Sequence, residues 1–304
     1  MLKRFELHNH TTESDAGIDC AALLAHMKAD RVDAFAITDH NTVSGHRILR
    51  ELLAGDDAIQ CVYGMEYTTY YGHILCLNLH QYVPWDSIDR HHPELLFEAC
   101  RAAGALTGIA HPFSYGDPFA RGCRFEMTVT DFSSVDFIEI MNNPEPLERV
   151  NGPAIEWWES LVLRGEKLAA TAGMDLHGAW DMGMKFATYV EGAPGGDAAR
   201  ELETAIRSRR TWVSNGLALM AARAADGLRF EVVDLKKPGF IPPERRVMTL
   251  RGAGGTREYA FDGPALTVPW SALPEGDVLI PKLYGDRAAL NRLICVSPAL
   301  PVNG

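Results

Sequence analysis

The chain has 304 residues, with 29 Lys and Arg against 40 Asp and Glu, for a formal net charge of −11. Apolar residues at 47% and charged ones at 23% are a globular mixture with material for a real core, which excludes a disordered or fibrous chain. The acidity argues against extended contact with nucleic acid, which needs clustered cations, but not against a small anion held at a bound metal.

In chain order, the opening Met1-Leu2-Lys3-Arg4-Phe5 is too short and polar for a signal peptide. No run reaches the roughly 18 uninterrupted apolar residues of a membrane span. The six cysteines are scattered without a CxxC pair. A cytoplasmic protein without membrane contact is expected. Apolar runs near Phe5–His8, Ala34–Thr38, Gln60–Met65, Ile74–Leu79, Ala105–Ala110, Asp136–Met141, Leu168–Ala172 and Phe186–Val190 read as strands. Ala22, Leu23, His26 and Met27 share a helical face behind Asp19, a helix cap. Ser44–Leu53, Glu94–Ala103, Glu145–Arg164 and Asp197–Arg209 read as further helices. This alternation predicts an α/β fold whose parallel sheet closes into a barrel, since so many units would make a wide open sheet. After Gly216 the strands shorten between turns such as Pro238-Gly239 and Pro274–Gly276. Residues 1–215 are expected to form the barrel and 216–304 a small C-terminal β-sandwich.

Histidine placement carries the functional signal. Among eleven histidines, several follow a strand directly, where a barrel puts its active site. His8 and His10 end the first strand, two residues apart and on one side of it, with Asp15 in the loop beyond. Asp39-His40-Asn41 follows the second strand, Glu66 ends the third and His73 opens the next run. His111 follows Ala105–Ala110, and Asp175 and His177 follow Leu168–Ala172. Each alone is compatible with a turn, a cap or packing, and a lone HxH is usually accidental. Together they would leave many buried titratable groups without partners unless cations join them. His26, His46, His80, His91 and His92 break the strand-end rule and read as surface or packing residues.

Nitrogen and oxygen donors without thiolates suit Zn, Mn or Fe as divalent ions. Nine candidate ligands exceed one open site, so two or three metals are expected, with Glu66 as the natural bridge. A hydroxide held between two cations attacks at neutral pH, which predicts hydrolysis.

The run His8-Asn9-His10-Thr11-Thr12 with Asp15, then Ile37-Thr38-Asp39-His40-Asn41, resembles the polymerase-and-histidinol-phosphatase (PHP) superfamily. Gly64-Met65-Glu66, Gly72-His73, Ala110-His111-Pro112 and Asp175-Leu176-His177 match its later motifs in order, so the resemblance covers residues 2 to about 216. It implies a distorted (βα)7 TIM-like barrel with a metal site of two or three ions. By that resemblance His8, His10, Glu66 and Asp175 would hold the first metal. Glu66, His73 and His111 would hold the second, and Asp15, His40 and His177 the third. Asp15 stands where many members have histidine, and Ala16 replaces the usual glycine after it. Tyr67–Tyr71 and Arg210-Thr211-Trp212-Val213-Ser214-Asn215-Gly216 resemble a carbaryl-hydrolase-like branch, which also carries a small C-terminal β domain.

The expected activity is phosphoester hydrolysis of a small phosphorylated metabolite or nucleotide, with carboxylic or carbamic esters as the alternative. Glu66 is the expected bridging residue, and Asp15 or His177 is expected at the leaving group. Asn41, Asn142, Arg121 and Arg124 are candidate substrate contacts, although Asn142-Asn143-Pro144 is equally a turn signal. A small anionic substrate and a homo-oligomer are the partners this reading allows.

Overall fold

The computed structural model describes residues 1–86, 88–115 and 121–302, the side chain of Arg121 excepted. Strands β1 (Leu2–Glu6), β2 (Ala34–Ile37) and β3 (Gln60–Thr69) lie side by side in parallel, joined by α1 (Cys20–Ala29) and α2 (Ser44–Leu52). Helix α1 starts where the Asp19 carboxylate accepts from the Ala22 N–H at 2.7 Å, as its sequence suggests. Its Leu23, Leu24 and Met27 join Phe35 and Ile37 of β2 in one apolar cluster.

Strand β3 turns directly into β4 (Gly72–Leu77), which runs antiparallel both to β3 and to β5 (Leu106–Ile109). Between β4 and β5 lies α3 (Glu94–Ala102). Strands β5, β6 (Phe137–Asn142) and β7 (Ala169–Gly173) are parallel again, with α4 (Gly152–Leu163) between β6 and β7. The helix expected over Glu145–Arg164 therefore starts late, after a π-helical turn at Leu147–Asn151. There the Asn151 amide pairs with the backbone N–H and C=O of Asn142 at 2.8 and 2.9 Å, tying the turn to the end of β6. Strand β8 (Ala187–Glu191) runs antiparallel to β1; after α5 (Ala198–Arg207), β9 (Thr211–Ser214) runs antiparallel to β8.

The expected closed barrel of parallel βα units is thus corrected. Apolar periodicity locates a strand but not its direction, and β4 and β8 are antiparallel neighbours. The sheet curls, yet among the described residues no ladder joins β7 to β1, β8 or β9. Its ends meet at one parallel bridge, where the His10 N–H donates to Leu176 O at 2.9 Å and the Leu176 N–H to His8 O at 3.2 Å. Side chains complete the seam. Thr188 Oγ1 accepts from the Ala172 N–H at 2.8 Å, and Thr211 Oγ1 donates to Ala170 O at 2.6 Å.

Phe5, Leu7, Val62, Leu75, Leu106 and Phe137 form one buried cluster with Leu202 and Ile206 of α5. Because α5 touches β3, β7 and β8, which are spread around the curl, it lies across one mouth. Beyond β9, strands β10 (Leu217–Arg223), β11 (Gly227–Asp234) and β14 (Ala265–Pro269) make a separate sheet. Strands β12 (Arg246–Gly252), β13 (Gly255–Phe261), β15 (Val278–Tyr284), β16 (Leu293–Val296) and β17 (Leu300–Pro301) instead extend the first sheet, through pairing of β16 with β9. Hydrogen bonding therefore runs through the boundary expected at residue 215. Among the described residues no helix is long and apolar enough to cross a membrane.

One buried ion triad ties the two regions. Glu159 of α4, fully buried, pairs with Arg251 of β12 and with Lys282 of β15, the latter at 2.6 Å. Removing one member of a buried network strands the others. Glu159→Gln is expected to lower the unfolding free energy by roughly 3 kcal/mol, read as a shift of the urea midpoint at unchanged slope. A midpoint equal to the parent's would show that the triad is energetically silent.

Candidate metal centre

The nine expected ligands come together at one end of the curled sheet. Strand order explains how they meet. Glu66 lies on β3, with β1 and β2 on one side and β4 and β5 on the other. Its Oε2 faces His8 Nε2 at 3.1 Å, His10 Nε2 at 3.3 Å and His40 Nδ1 at 3.0 Å. Its Oε1 faces His73 Nδ1 at 2.9 Å and His111 Nε2 at 3.0 Å. One carboxylate therefore divides its two oxygens between two histidine sets. His73 reaches this end because β4 is antiparallel, so the start of β4 lies where the other strands finish.

Asp175 Oδ1 lies 3.4 Å from His8 Nε2 and 3.1 Å from His10 Nε2. The rings of His40 and His177 lie 4.2 and 4.3 Å from that of His10 and 5.8 Å from each other. Asp15 Oδ1 stands 3.2 Å from His177 Nε2 and 3.7 Å from His40 Nε2. Donor atoms of His8, His10, Glu66 and Asp175 lie within 4.8 Å of one another, as do those of His10, Asp15, His40 and His177, and those of His40, Glu66 and His73. Asp15, His40 and His177 are the more open members; His8, His10 and Glu66 are fully buried.

These residues fit divalent cations. His8 Nε2, both ring nitrogens of His10 and Glu66 Oε2 are buried and make no hydrogen bond. Such orphans cost about 1–3 kcal/mol each unless something fills the space between them. Outer hydrogen bonds also turn lone pairs inward. His111 Nδ1–H donates to Cys123 O at 2.9 Å and His177 Nδ1–H to Asp175 O at 2.8 Å, which leaves each Nε2 as an acceptor. The backbone is bent to match: His111 has φ 24° and Asp175 φ 47°, in the left-handed region that side chains disfavour.

Two residues outside the expected ligand set complete the site. Glu139, in the middle of β6, accepts from His8 Nδ1–H at 3.0 Å and from the His111 N–H at 2.9 Å. Its signal was an acid inside the apolar run Asp136–Met141. Gly173 makes room for it, since an added Cβ would lie 2.0 Å from Glu139 Oε1 and 2.5 Å from His8 Cβ. Asp39 accepts from the Thr11 N–H, the Thr11 hydroxyl and the Ser14 hydroxyl, at 2.6, 2.8 and 2.7 Å. It thereby holds the turn that presents Asp15.

The candidate substrate contacts fare differently. Asn41 Nδ2 donates to Thr68 O at 3.0 Å and its Oδ1 accepts from the Thr68 N–H at 2.9 Å, so the amide braces the loop after β2. Asn142 Nδ2 donates to Asp175 Oδ2 at 3.1 Å, which orients that carboxylate. Arg124 is exposed, and its backbone bridges to Phe113, two residues beyond His111. The Arg121 side chain lies outside the described residues. His46 packs inside, its Nε2–H donating to Gly64 O at 2.7 Å.

Fold and site together define a curled sheet flanked by helices, with a histidine- and carboxylate-rich cluster able to hold divalent metal. No protein-family model matches the sequence, and no curated protein matches it. The fold is similar to that of a two-domain protein from Bacteroides vulgatus described as containing a predicted PHP-like metal-dependent phosphoesterase. The TM-score is 0.59 at 15% identity, over 99% of this chain and 95% of that one, so the likeness includes the C-terminal strands. Two looser likenesses are a protein from Bifidobacterium adolescentis provisionally called a metal-dependent phosphoesterase (TM-score 0.44, 14% identity, 58% of this chain and 88% of that one) and an amidohydrolase from Chromobacterium violaceum (TM-score 0.43, 14% identity, 68% and 96%).

Without cations the site holds protons instead. Burial pulls the pKa of His10 and His111 down, but the Glu66 and Asp175 carboxylates outweigh it and raise both to about 9. Burial pushes Glu66 and Asp175 up, and the surrounding imidazoles hold both well below the usual carboxylate range. Histidines raised above their ordinary 6.5 add stability that is complete below pH 6.5 and lost as pH rises through about 9. The melting midpoint of the metal-free chain is therefore expected to fall across that window. Metal binding there should release protons and tighten as pH rises, which calorimetry in buffers of different ionisation heat would detect; equal heats in all buffers would contradict it. Glu139→Gln is expected to weaken metal binding about 10- to 100-fold with all ligands in place, measured by competition with a chromogenic chelator.

Proposed function

We propose that this protein is a metal-dependent phosphoesterase of the PHP superfamily, hydrolysing a small phosphorylated metabolite or nucleotide. The observation that carries the reading is Glu66, whose two oxygens face two separate histidine sets from opposite sides of β3. Bound divalent cations would supply an activated water at neutral pH and positive charge for the oxygens of the scissile group. The protein's own residues position that chemistry. Glu66 keeps two sites at one spacing, Glu139 sets the tautomer of His8, and Asn142 aims Asp175. His177 and Asp15, at the open side, are placed to hold or pass the leaving-group proton, with the exchangeable position at His177 Nε2.

The fold likeness to the Bacteroides vulgatus protein, which is described as containing a predicted PHP-like metal-dependent phosphoesterase, supports the phosphoesterase reading, as do the ordered motifs from His8 to His177. The Tyr67–Tyr71 run, at the β3–β4 turn, and the Arg210–Gly216 run, through β9, support placement in the carbaryl-hydrolase-like branch.

The test is a panel of phosphomonoesters, phosphodiesters and aryl carbamates offered to protein loaded with Mn²⁺ or Zn²⁺. Phosphate esters are expected to turn over. Glu66→Gln is expected to lose bound metal by elemental analysis and to reduce turnover by about a thousandfold or more, equivalent to roughly 4 kcal/mol. Carbamate turnover with inert phosphate esters would overturn the substrate class, and full activity in Glu66→Gln would overturn the site.

A further inference from the structure

The opposite end of the curled sheet carries a second cluster of charged groups that the metal centre does not use. A cleft of about 470 Å³ opens there, beside the residues that lead into β6 and β7. Its wall includes four cations, Arg101, Lys167, Arg207 and Arg209, and two acids, Asp136 and Glu166. Such a surplus of positive charge is a local reversal in a chain of net charge −11.

The cations divide into two kinds. Asp136 is buried; its Oδ1 holds Arg101 at 3.1 Å and Arg207 at 3.6 Å, while its Oδ2 accepts from the Thr107 N–H at 2.9 Å. Arg101 also donates to Ser133 O at 2.6 Å. These two guanidinium groups are fixed in place. Lys167 and Arg209 are exposed and pair with no carboxylate among the described residues; the Arg209 guanidinium donates to Arg207 O, at 3.3 Å.

A neighbouring cleft of about 400 Å³ shares Lys167, Arg209 and the Glu166 carboxylate in its wall. Beyond them its lining is mainly apolar, with Val162, Leu168, Val278 and Leu300. A cationic cleft and an apolar cleft thus meet at the same two uncommitted cations. Each has the size of an ordinary small-molecule site.

We propose that the joined clefts form a second binding site, for a small amphipathic anion. Its phosphate or carboxylate head would lie between Lys167 and Arg209, facing the wall that holds Arg101 and Arg207. Its apolar body would lie against Val162, Val278 and Leu300. Lys167 precedes β7, whereas Val278 and Leu300 belong to β15 and β17, so the ligand touches the curled sheet's core strands and the C-terminal strands together. Binding to such a seam stabilises the whole chain by mass action.

The experiment titrates the full-length, metal-stripped protein with hexylphosphonate and with methylphosphonate, by calorimetry and by thermal shift. Hexylphosphonate is expected to bind about tenfold or more tightly than methylphosphonate, because only it reaches the apolar cleft. The double variant Lys167→Gln/Arg209→Gln should weaken both ligands by about tenfold, and Lys167→Glu/Arg209→Glu should abolish both. Leu300→Ser should erase only the advantage of the hexyl chain, and Glu66→Gln should leave all these affinities unchanged. Circular dichroism of each variant confirms that it is folded. Parent-like binding in both double variants, or loss of binding in Glu66→Gln alone, would put the anion at the metal centre and overturn the proposal; so would no binding at millimolar ligand. An equal affinity for the two phosphonates would overturn the apolar half.

Discussion

A carboxylate with no exposure to water, surrounded by five imidazoles, is the constraint to which the rest of this molecule answers. Taken alone, burial would protonate Glu66. It stays ionised because His8, His10, His40, His73 and His111 each approach within 3.3 Å, and that crowding is tolerable only if charge is shared out among them. Protons can do this in the metal-free chain, and divalent cations would do it at the lone pairs of His8, His10, His73 and His111. The sheet order β1-β2-β3-β4-β5 is what makes the sharing possible. With Glu66 on the central strand, each oxygen is served by a different pair of neighbouring strands.

That arrangement puts demands on the backbone that the sequence meets locally. Strands end at His111 and Asp175 in left-handed conformations, which non-glycine residues hold only where surrounding contacts over-determine them. The contacts are present. Glu139 holds the His111 N–H, Asn142 holds Asp175, and the Asn9–Leu176 bridge fixes the chain on either side of His8 and His10. The bridge that completes the curl thus lies among the expected ligands, with His8 and His10 flanking Asn9 and Asp175 and His177 flanking Leu176.

Much of the centre was legible in the sequence because a barrel-like sheet gives its strand ends one common face, and titratable residues cluster at those ends. The rule worked even for His73, although β4 runs the other way, because a strand's start can stand where its neighbours stop. Strand direction was not legible: Ile74–Leu79 and Phe186–Val190 look like any buried strand, and only pairing distinguishes an antiparallel neighbour from a crossover. The bracing role of Asn41 was not legible either, because its amide pairs with both backbone groups of Thr68, a residue distant in sequence. Glu139 was passed over because it sits within a strand rather than at its end.

Strands β12, β13, β15, β16 and β17 extend the curled sheet beyond β9. Without β16, β9 would present an open edge, with unpaired backbone groups able to recruit another chain. Continuing the sheet covers that edge and brings the later segments back toward the metal centre. Lys237, buried just after β11, donates to the carbonyls of Met182 and Gly183, the latter at 2.8 Å, on the loop that leaves His177. Burial first, and then Arg4, push its pKa down to about 8, while Glu6 and Asp30 oppose the shift. Gly239 packs against Gly183 so closely that an added Cβ would sit 2.9 Å from the Gly183 Cα. The C-terminal region thus braces, from outside, the loop that leaves His177. The same covalent length that hides the sheet edge therefore also steadies the most exposed part of the centre.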